Sequence, residues 1–187
     1  MKVKKIRLLA ISGSLRAASY NTALLRAAIQ LAPDDVEIIF YNDIANLPFF
    51  NPDLEGKEPF SVLSFRELIG SADGILIASP EYAHGVSGVL KNALDWLVSG
   101  EEFVGKPVAL FNTSPRASHA YAALMETITV MSARIIDEAS IAVPLLGTQL
   151  DAAGIVTHPE ISQAVRKSIV DLTHAIKVSE TSSQSED

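Results

Sequence analysis

Two short segments carry the residue types best suited to a chemical task. The first is SGSLRAASYN (Ser12–Asn21), which follows a buried-looking apolar run and leads into a helical pattern. It offers hydroxyls at Ser12, Ser14 and Ser19, the amide of Asn21, one glycine for a tight turn, and Arg16. Hydroxyls and free backbone N–H groups at the positive end of a helix dipole suit a single terminal phosphate, with a guanidinium as countercharge. Helix capping accounts for part of Ser19 and Asn21. It does not account for an arginine between two hydroxyls.

The second segment is SPEYAHGVSGVLKNALDW (Ser79–Trp96), which holds no obvious nucleophile, base or metal ligand. Pro80 removes a donor and stiffens the exit from a strand, Tyr82 presents an aromatic face, and Gly85 and Gly88 permit close approach of main chain to a ligand. A flat heterocycle lined by backbone groups fits such a surface. Glu81 lies inside the same loop, where its backbone is the expected contact more than its carboxylate. A third segment, NTSPRASHA (Asn112–Ala120), brings Ser114 towards the same place. Arg116 beside it is either a surface arginine or a hold for an anionic co-substrate.

Other chemistries are absent from the pattern. Gly13 alone does not make a G-x-G-x-x-G dinucleotide fingerprint, and no Gly-Lys-Ser/Thr opens a helix. Phosphoacceptor carboxylates do not follow the first and third strands, and GVSGV misses the G-x-S-x-G nucleophile elbow by one residue. The four histidines, His84, His119, His158 and His174, have no metal-motif spacing. Without cysteine, disulfides and thiolate metal sites are excluded.

Positioning these loops requires strands and helices in alternation. Strands are predicted at Ile6–Ser12, Val36–Tyr41, Gly74–Ala78, Val108–Asn112 and Ile135–Val143, the last being the least regular. Helices are predicted at Thr22–Leu31, Phe60–Ser71, Val89–Val98, Tyr121–Met131 and Glu160–Val178. Runs such as GILIA are apolar throughout, which means burial on both faces, as in a parallel sheet between helical layers. The pattern predicts an α/β, doubly wound open sheet, with ligands beyond the carboxyl ends of the strands. The loop from Asn42 to Pro59 is long and aperiodic. Its Phe49 and Phe50 either pin it to the core, cover a ligand or touch a second subunit.

The bulk composition agrees with this class. A chain of 187 residues, nearly half apolar, is long enough for one packed domain. The formal charge of −7 argues against a nucleic-acid partner. Three of those charges lie in SETSSQSED (179–187), read as a disordered acidic, serine-rich tail, leaving −4 on a single domain over 1–178. The basic start lacks a long apolar core or cleavage site, and no run approaches a membrane span, so a cytoplasmic location is expected.

Taken together, G-S-L-R-x-x-S-x-N, P-E-Y and L-K-N-A-x-D-W resemble the NADPH-dependent FMN reductase family, which includes chromate, quinone and azo-dye reductases. The likeness extends through KPVALFNTSPRA. It implies a flavodoxin-like five-stranded parallel sheet of strand order 2-1-3-4-5 with helices on both faces. It also implies non-covalent FMN, NADPH as co-substrate and a small-molecule electron acceptor. Ser14, Arg16, Ser19 and Asn21 would hold the phosphate. Pro80, Glu81, Tyr82 and Gly85 would line the isoalloxazine ring, with Ser114 nearby. No catalytic acid, base, nucleophile or metal is implied. Homodimers or homotetramers are implied, with Phe49, Phe50 and Trp96 at the contact. Ala83 stands where many relatives have asparagine, and Ser118-His119 where they have a glycine pair. The rival reading is a flavodoxin-type electron carrier that serves protein partners.

Overall fold

The computed structural model describes residues 5–114, 116 and 118–183. In chain order the elements are β1 (Ile6–Ser12), α1 (Tyr20–Leu31), β2 (Val36–Phe40), α2 (Phe60–Ser71), β3 (Gly74–Ala78), β4 (Glu81–Tyr82), β5 (Gly85–Val86), α3 (Gly88–Asp95), β6 (Pro107–Asn112), α4 (Ser118–Val130), β7 (Arg134–Ile135), β8 (Ile141–Ala142), α5 (Ala152–Thr157) and α6 (Pro159–Ser183). The main sheet is parallel and runs β2-β1-β3-β6, with β7 and β8 both pairing the outer side of β6. The α/β, doubly wound class expected from alternation is the fold observed.

Continuous apolarity in the central strands follows from alternation across the pleat, where successive side chains enter opposite layers. Leu8 and Ala10 of β1 pack with Leu24 and Leu31 of α1 and Ile169 of α6, while Leu9 and Ile11 pack with Phe65 and Ile69 of α2 and Leu94 of α3. Each fully buried aliphatic of this kind contributes about 1.5–3 kcal/mol before chain entropy is counted. Two cores, one on each face, therefore clamp the sheet and fix where its strands end.

The fifth strand departs from expectation. Ile135–Val143 is two short pieces, β7 and β8, separated by a single 3-10 turn at Asp137–Ala139. Ser140 explains the break: its hydroxyl accepts the Leu110 N–H at 3.0 Å and donates to the Ile136 carbonyl at 3.0 Å. A side chain thus satisfies a β6 amide that a continuous strand would otherwise pair.

The C-terminal boundary also moves. Helix α6 continues to Ser183, past the expected start of the tail at Ser179. Hydroxyls bond back along it, Ser179 Oγ to the Ala175 carbonyl at 2.8 Å and Thr181 Oγ1 to that of Lys177 at 2.9 Å, and Arg134 donates to Ser179 Oγ at 2.6 Å. The remainder of the tail, 184–187, lies outside the described residues. Among the described residues no helix is long and apolar enough to cross a membrane.

Candidate functional site

The chain leaves β1 towards β2 on one side and returns to β3 on the other, so strand order reverses between β1 and β3. Ser12 is in register with Ala78, and Ala78 with Phe111, so the loops after β1, β3 and β6 emerge along one edge. They enclose a cleft of about 350 Å³. Its walls include Ser14, Arg16, Ser19, Asn21, Pro80, Glu81, Tyr82 and Ser114, together with Arg116. Eight of the nine residues singled out for a cofactor in the sequence therefore meet in one place.

At one end the polar groups share a donor orientation. Ser19 caps α1, its Oγ accepting the Thr22 N–H at 3.3 Å, and Ser14 Oγ accepts the Arg16 N–H at 3.4 Å. Asn21 is 6% exposed, and its Oδ1 accepts the buried Thr113 hydroxyl at 3.0 Å. Each of these oxygens already accepts one protein donor, and the hydroxyl protons and the amide NH₂ remain able to donate to a ligand. The N-terminus of α1 adds a positive partial charge. Among the described residues no carboxylate lies within ion-pair distance of Arg16. A helix start, free hydroxyl protons and an unpaired guanidinium together suit an anion.

The Thr113 bond gives Asn21 a positioning role as well, because it ties the start of α1 to the loop after β6. Thr113, Ser79, Tyr20 and Leu146 were not singled out in the sequence. Thr113 follows a buried strand directly, a position from which it had to face this edge. Leu146 comes from the irregular stretch after β8, where no pattern pointed to it.

The other end is a wall formed by a two-residue hairpin. β4 and β5 pair antiparallel, Tyr82 with Gly85, and the connecting Ala83 and His84 both have positive φ, 48° and 61°. Tyr82 is 57% exposed and open to the cleft. Gly85 is not among the cleft-lining residues; it is the far partner of Tyr82 in the hairpin, and a Cβ there would meet only ordinary contact, 3.5 Å from the Tyr82 carbonyl. The close approach occurs instead at Gly13. A Cβ there would lie 2.8 Å from the hydroxyls of both Ser79 and Ser87 and 3.2 Å from Leu90 Cβ. Gly13 also donates to the Ala78 carbonyl at 2.8 Å, stitching the two loops together.

Glu81 uses its carboxylate after all. Oε2 accepts the Ala120 N–H in the first turn of α4 at 2.9 Å, and Oε1 lies 3.2 Å from His84 Nδ1. The imidazoles of His84 and His119 meet edge to face, 4.4 Å between centroids. The Ala120 amide chiefly, with His84 and His119 helping and partial burial opposing, holds the Glu81 carboxyl below the usual carboxylate range. The cleft therefore holds one ionised carboxylate, Glu81, turned to its own neighbours, and two guanidinium groups, Arg16 and Arg116.

The Asn42–Pro59 loop is pinned by α3. Asn92 and the indole of Trp96 both donate to the Pro48 carbonyl, at 2.9 and 2.8 Å, and the Phe50 N–H reaches Asn92 Oδ1 at 2.8 Å. Phe50 stands edge-on to Trp96 at 5.1 Å. Trp96 is 2% exposed and belongs to the interior, whereas Phe49 is 90% exposed.

Known proteins resemble this chain in sequence and in fold. The chain is 46% identical over 112 residues to an NAD(P)H-dependent FMN reductase of Pseudomonas aeruginosa, covering 58% of this chain and 60% of that protein. It is 50% identical over 113 residues to an NADPH:quinone oxidoreductase of Arabidopsis thaliana, covering 58% of each. In both cases the match spans less than two thirds of the relative's length. Among solved structures, a flavoenzyme NAD(P)H:(acceptor) oxidoreductase of Paracoccus denitrificans superposes with a TM-score of 0.81 at 27% identity, over 92% of this chain and 97% of that one. The profile of the NADPH-dependent FMN reductase family matches residues 6–145, most of the chain, and the chain belongs to that family.

Proposed function

We propose that the protein is an NAD(P)H-dependent FMN oxidoreductase that passes reducing equivalents from NADPH to a small acceptor, such as a quinone or free flavin, with chromate and azo compounds in the same class. One observation carries this reading. Hydroxyls, an amide and a guanidinium at the start of a helix line one cleft together with an exposed aromatic side chain. FMN bound there, without a covalent link, would supply the capacity to accept hydride and return electrons.

The chain's residues bind and orient. Arg16, Ser14, Ser19 and the α1 N-terminus would hold the phosphate, with Asn21 bracing the cradle through Thr113. Pro80 and Tyr82 would bound the ring, and Glu81 fixes their hairpin against α4. Holding two planar partners at one face supplies the rate advantage without a catalytic acid or base. Arg116 at the cleft supports a preference for the more anionic nucleotide, NADPH. Phe49 within the pinned loop and Phe60 at the start of α2, 90% and 84% exposed, support a homodimer or homotetramer that covers them. A cytoplasmic setting suits the reading.

Anaerobic NADPH added to the FMN-loaded protein should bleach the flavin rapidly without any partner. If bleaching requires a second protein, the electron-carrier reading replaces this one. Arg16→Ala should weaken FMN binding about 10- to 100-fold, the worth of a lost charge-assisted contact. The melting temperature of the flavin-free protein should not change, because Arg16 is exposed. Undiminished FMN affinity in that variant would count against the phosphate assignment.

A further inference from the structure

A second cavity, larger than the cleft at about 690 Å³, lies between α1 and the chain from Leu146 to Ala152. The two spaces adjoin: Arg16, Ala18, Ser19, Tyr20 and Leu146 line both. The second space thus lies beside the anion cradle, and Tyr82 does not line it. The volume falls within the range of about 300–1,000 Å³ typical of small-molecule sites.

The lining of this space is chemically specific. Arg26, one and a half turns into α1, joins Arg16 as a second guanidinium. Among the described residues neither has a carboxylate within ion-pair distance. The carboxylate that lines the space, Asp151, accepts the Gly154 N–H at 2.8 Å as the cap of α5. Tyr20 closes one side, its hydroxyl accepting the Gln149 N–H at 3.3 Å and so tying the 146–151 segment across α1. Leu146, 64% exposed, and Leu150 add apolar surface. Two cations next to an aromatic ring, an exposed leucine and a half-buried one suit phosphate at one end and a flat base at the other.

Resting on the flavin reading above, we infer that this cavity receives the adenylate end of a nucleotide, with Arg26 and Arg16 on its phosphate and Tyr20 and Leu146 beside its base. The shared chemistry is an adenosine 5′-phosphate. It has two sources: the AMP half of FAD, continuing from the flavin phosphate, or a separate adenine nucleotide beside bound FMN. Arg26 lies 5.6 Å from the Phe40 ring centroid, a contact that leaves its N–H groups available to an anion.

Two titrations test it. Flavin-free protein is titrated with FMN and with FAD, and FMN-loaded protein with ADP. FAD is expected to bind the flavin-free protein, or ADP the FMN-loaded one. Arg26→Ala should weaken whichever binds by about tenfold while moving FMN affinity less than about twofold. Gln149→Glu, which adds an anion to an exposed position of the same wall, should weaken it as well and guards against a packing effect of losing Arg26. Failure of FMN itself to bind overturns both this site and the flavin reading. If FMN binds while FAD and ADP do not, or if they bind with affinities that neither variant changes, the second site alone is overturned.

Discussion

The two ends of the cleft are built on different principles. The anion end is largely local: Ser14 to Arg16 and Ser19 to Thr22 are bonds across two or three residues, made by the turn and cap that start α1, with the Asn21–Thr113 bond as a long-range brace. The ring end is assembled from afar, with Glu81 reaching Ala120 across 39 positions and the hairpin held to α4 by that strap and the His84–His119 contact. A locally built end is preorganised as soon as its helix forms. One built across the fold depends on every layer between, and is where mutation and pH should have graded effects.

The sharpest way to break this distinction is at Gly13, where the two ends meet. In Gly13→Ala the new Cβ would press on the Ser79 and Ser87 hydroxyls at 2.8 Å and on Leu90 Cβ at 3.2 Å. The serines are short, and Leu90 is fully buried, so the loop must shift instead. Overpacking of this kind costs about 1–3 kcal/mol, measurable by denaturant unfolding. FMN affinity should fall with it. A variant that lost stability but kept full affinity would show that the cradle does not rely on its seam with the β3 loop.

The same contrast decides how much was legible in the sequence. The central strands and α2 were readable because apolar runs and 3.6-residue periodicity are local signals, and Phe60–Ser71 forms over the expected residues. Ser14, Arg16 and Ser19 were readable for the same reason: capping chemistry declares itself within one turn. The hairpin was not, since strands of two residues leave no period. The break at Ser140 was hidden because the bond that causes it joins Ser140 to Leu110, thirty positions away. Asn92 and Trp96 pin the long loop by bonds spanning more than forty positions, partners that no local pattern declares. Composition placed Ser179–Ser183 in a tail because serine and glutamate lower apolarity; helix α6 carries on through hydroxyl bonds that composition does not register. The second cavity was invisible for a similar reason, since Leu146 to Ala152 follows a strand that was not expected to break.

A smaller effect sharpens the comparison at the hairpin. A two-residue turn of this type needs positive φ at both central positions, where asparagine and glycine are favoured. Here Ala83 sits at 48° and His84 at 61°. A left-handed alanine costs about 1–2 kcal/mol, and asparagine tolerates the region through local hydrogen bonds. Ala83→Asn should therefore stabilise the protein by roughly 0.5–1 kcal/mol in thermal or denaturant unfolding. Equal stability in the variant would mean that the surrounding contacts, not the residue, bear the conformation.

The smallest and most diagnostic change concerns the strap itself. The folded Glu81 carboxyl titrates below the ordinary range, chiefly through the Ala120 N–H and then through His84 and His119. A depressed folded pKa means that the unfolded chain binds the proton more tightly, so the interaction contributes fully above the unfolded value of about 4.3 and fades as pH falls through the folded one. Glu81→Gln keeps the shape and removes the charge. The variant should melt below the wild type at neutral pH, and the two melting curves should converge as pH drops below about 4. The side chain is partly open to solvent, so added salt should narrow the neutral gap without abolishing the Ala120 bond. A gap that persisted unchanged into acid would assign the strap to packing and not to charge, and the ring end would then be no more sensitive to pH than the cradle.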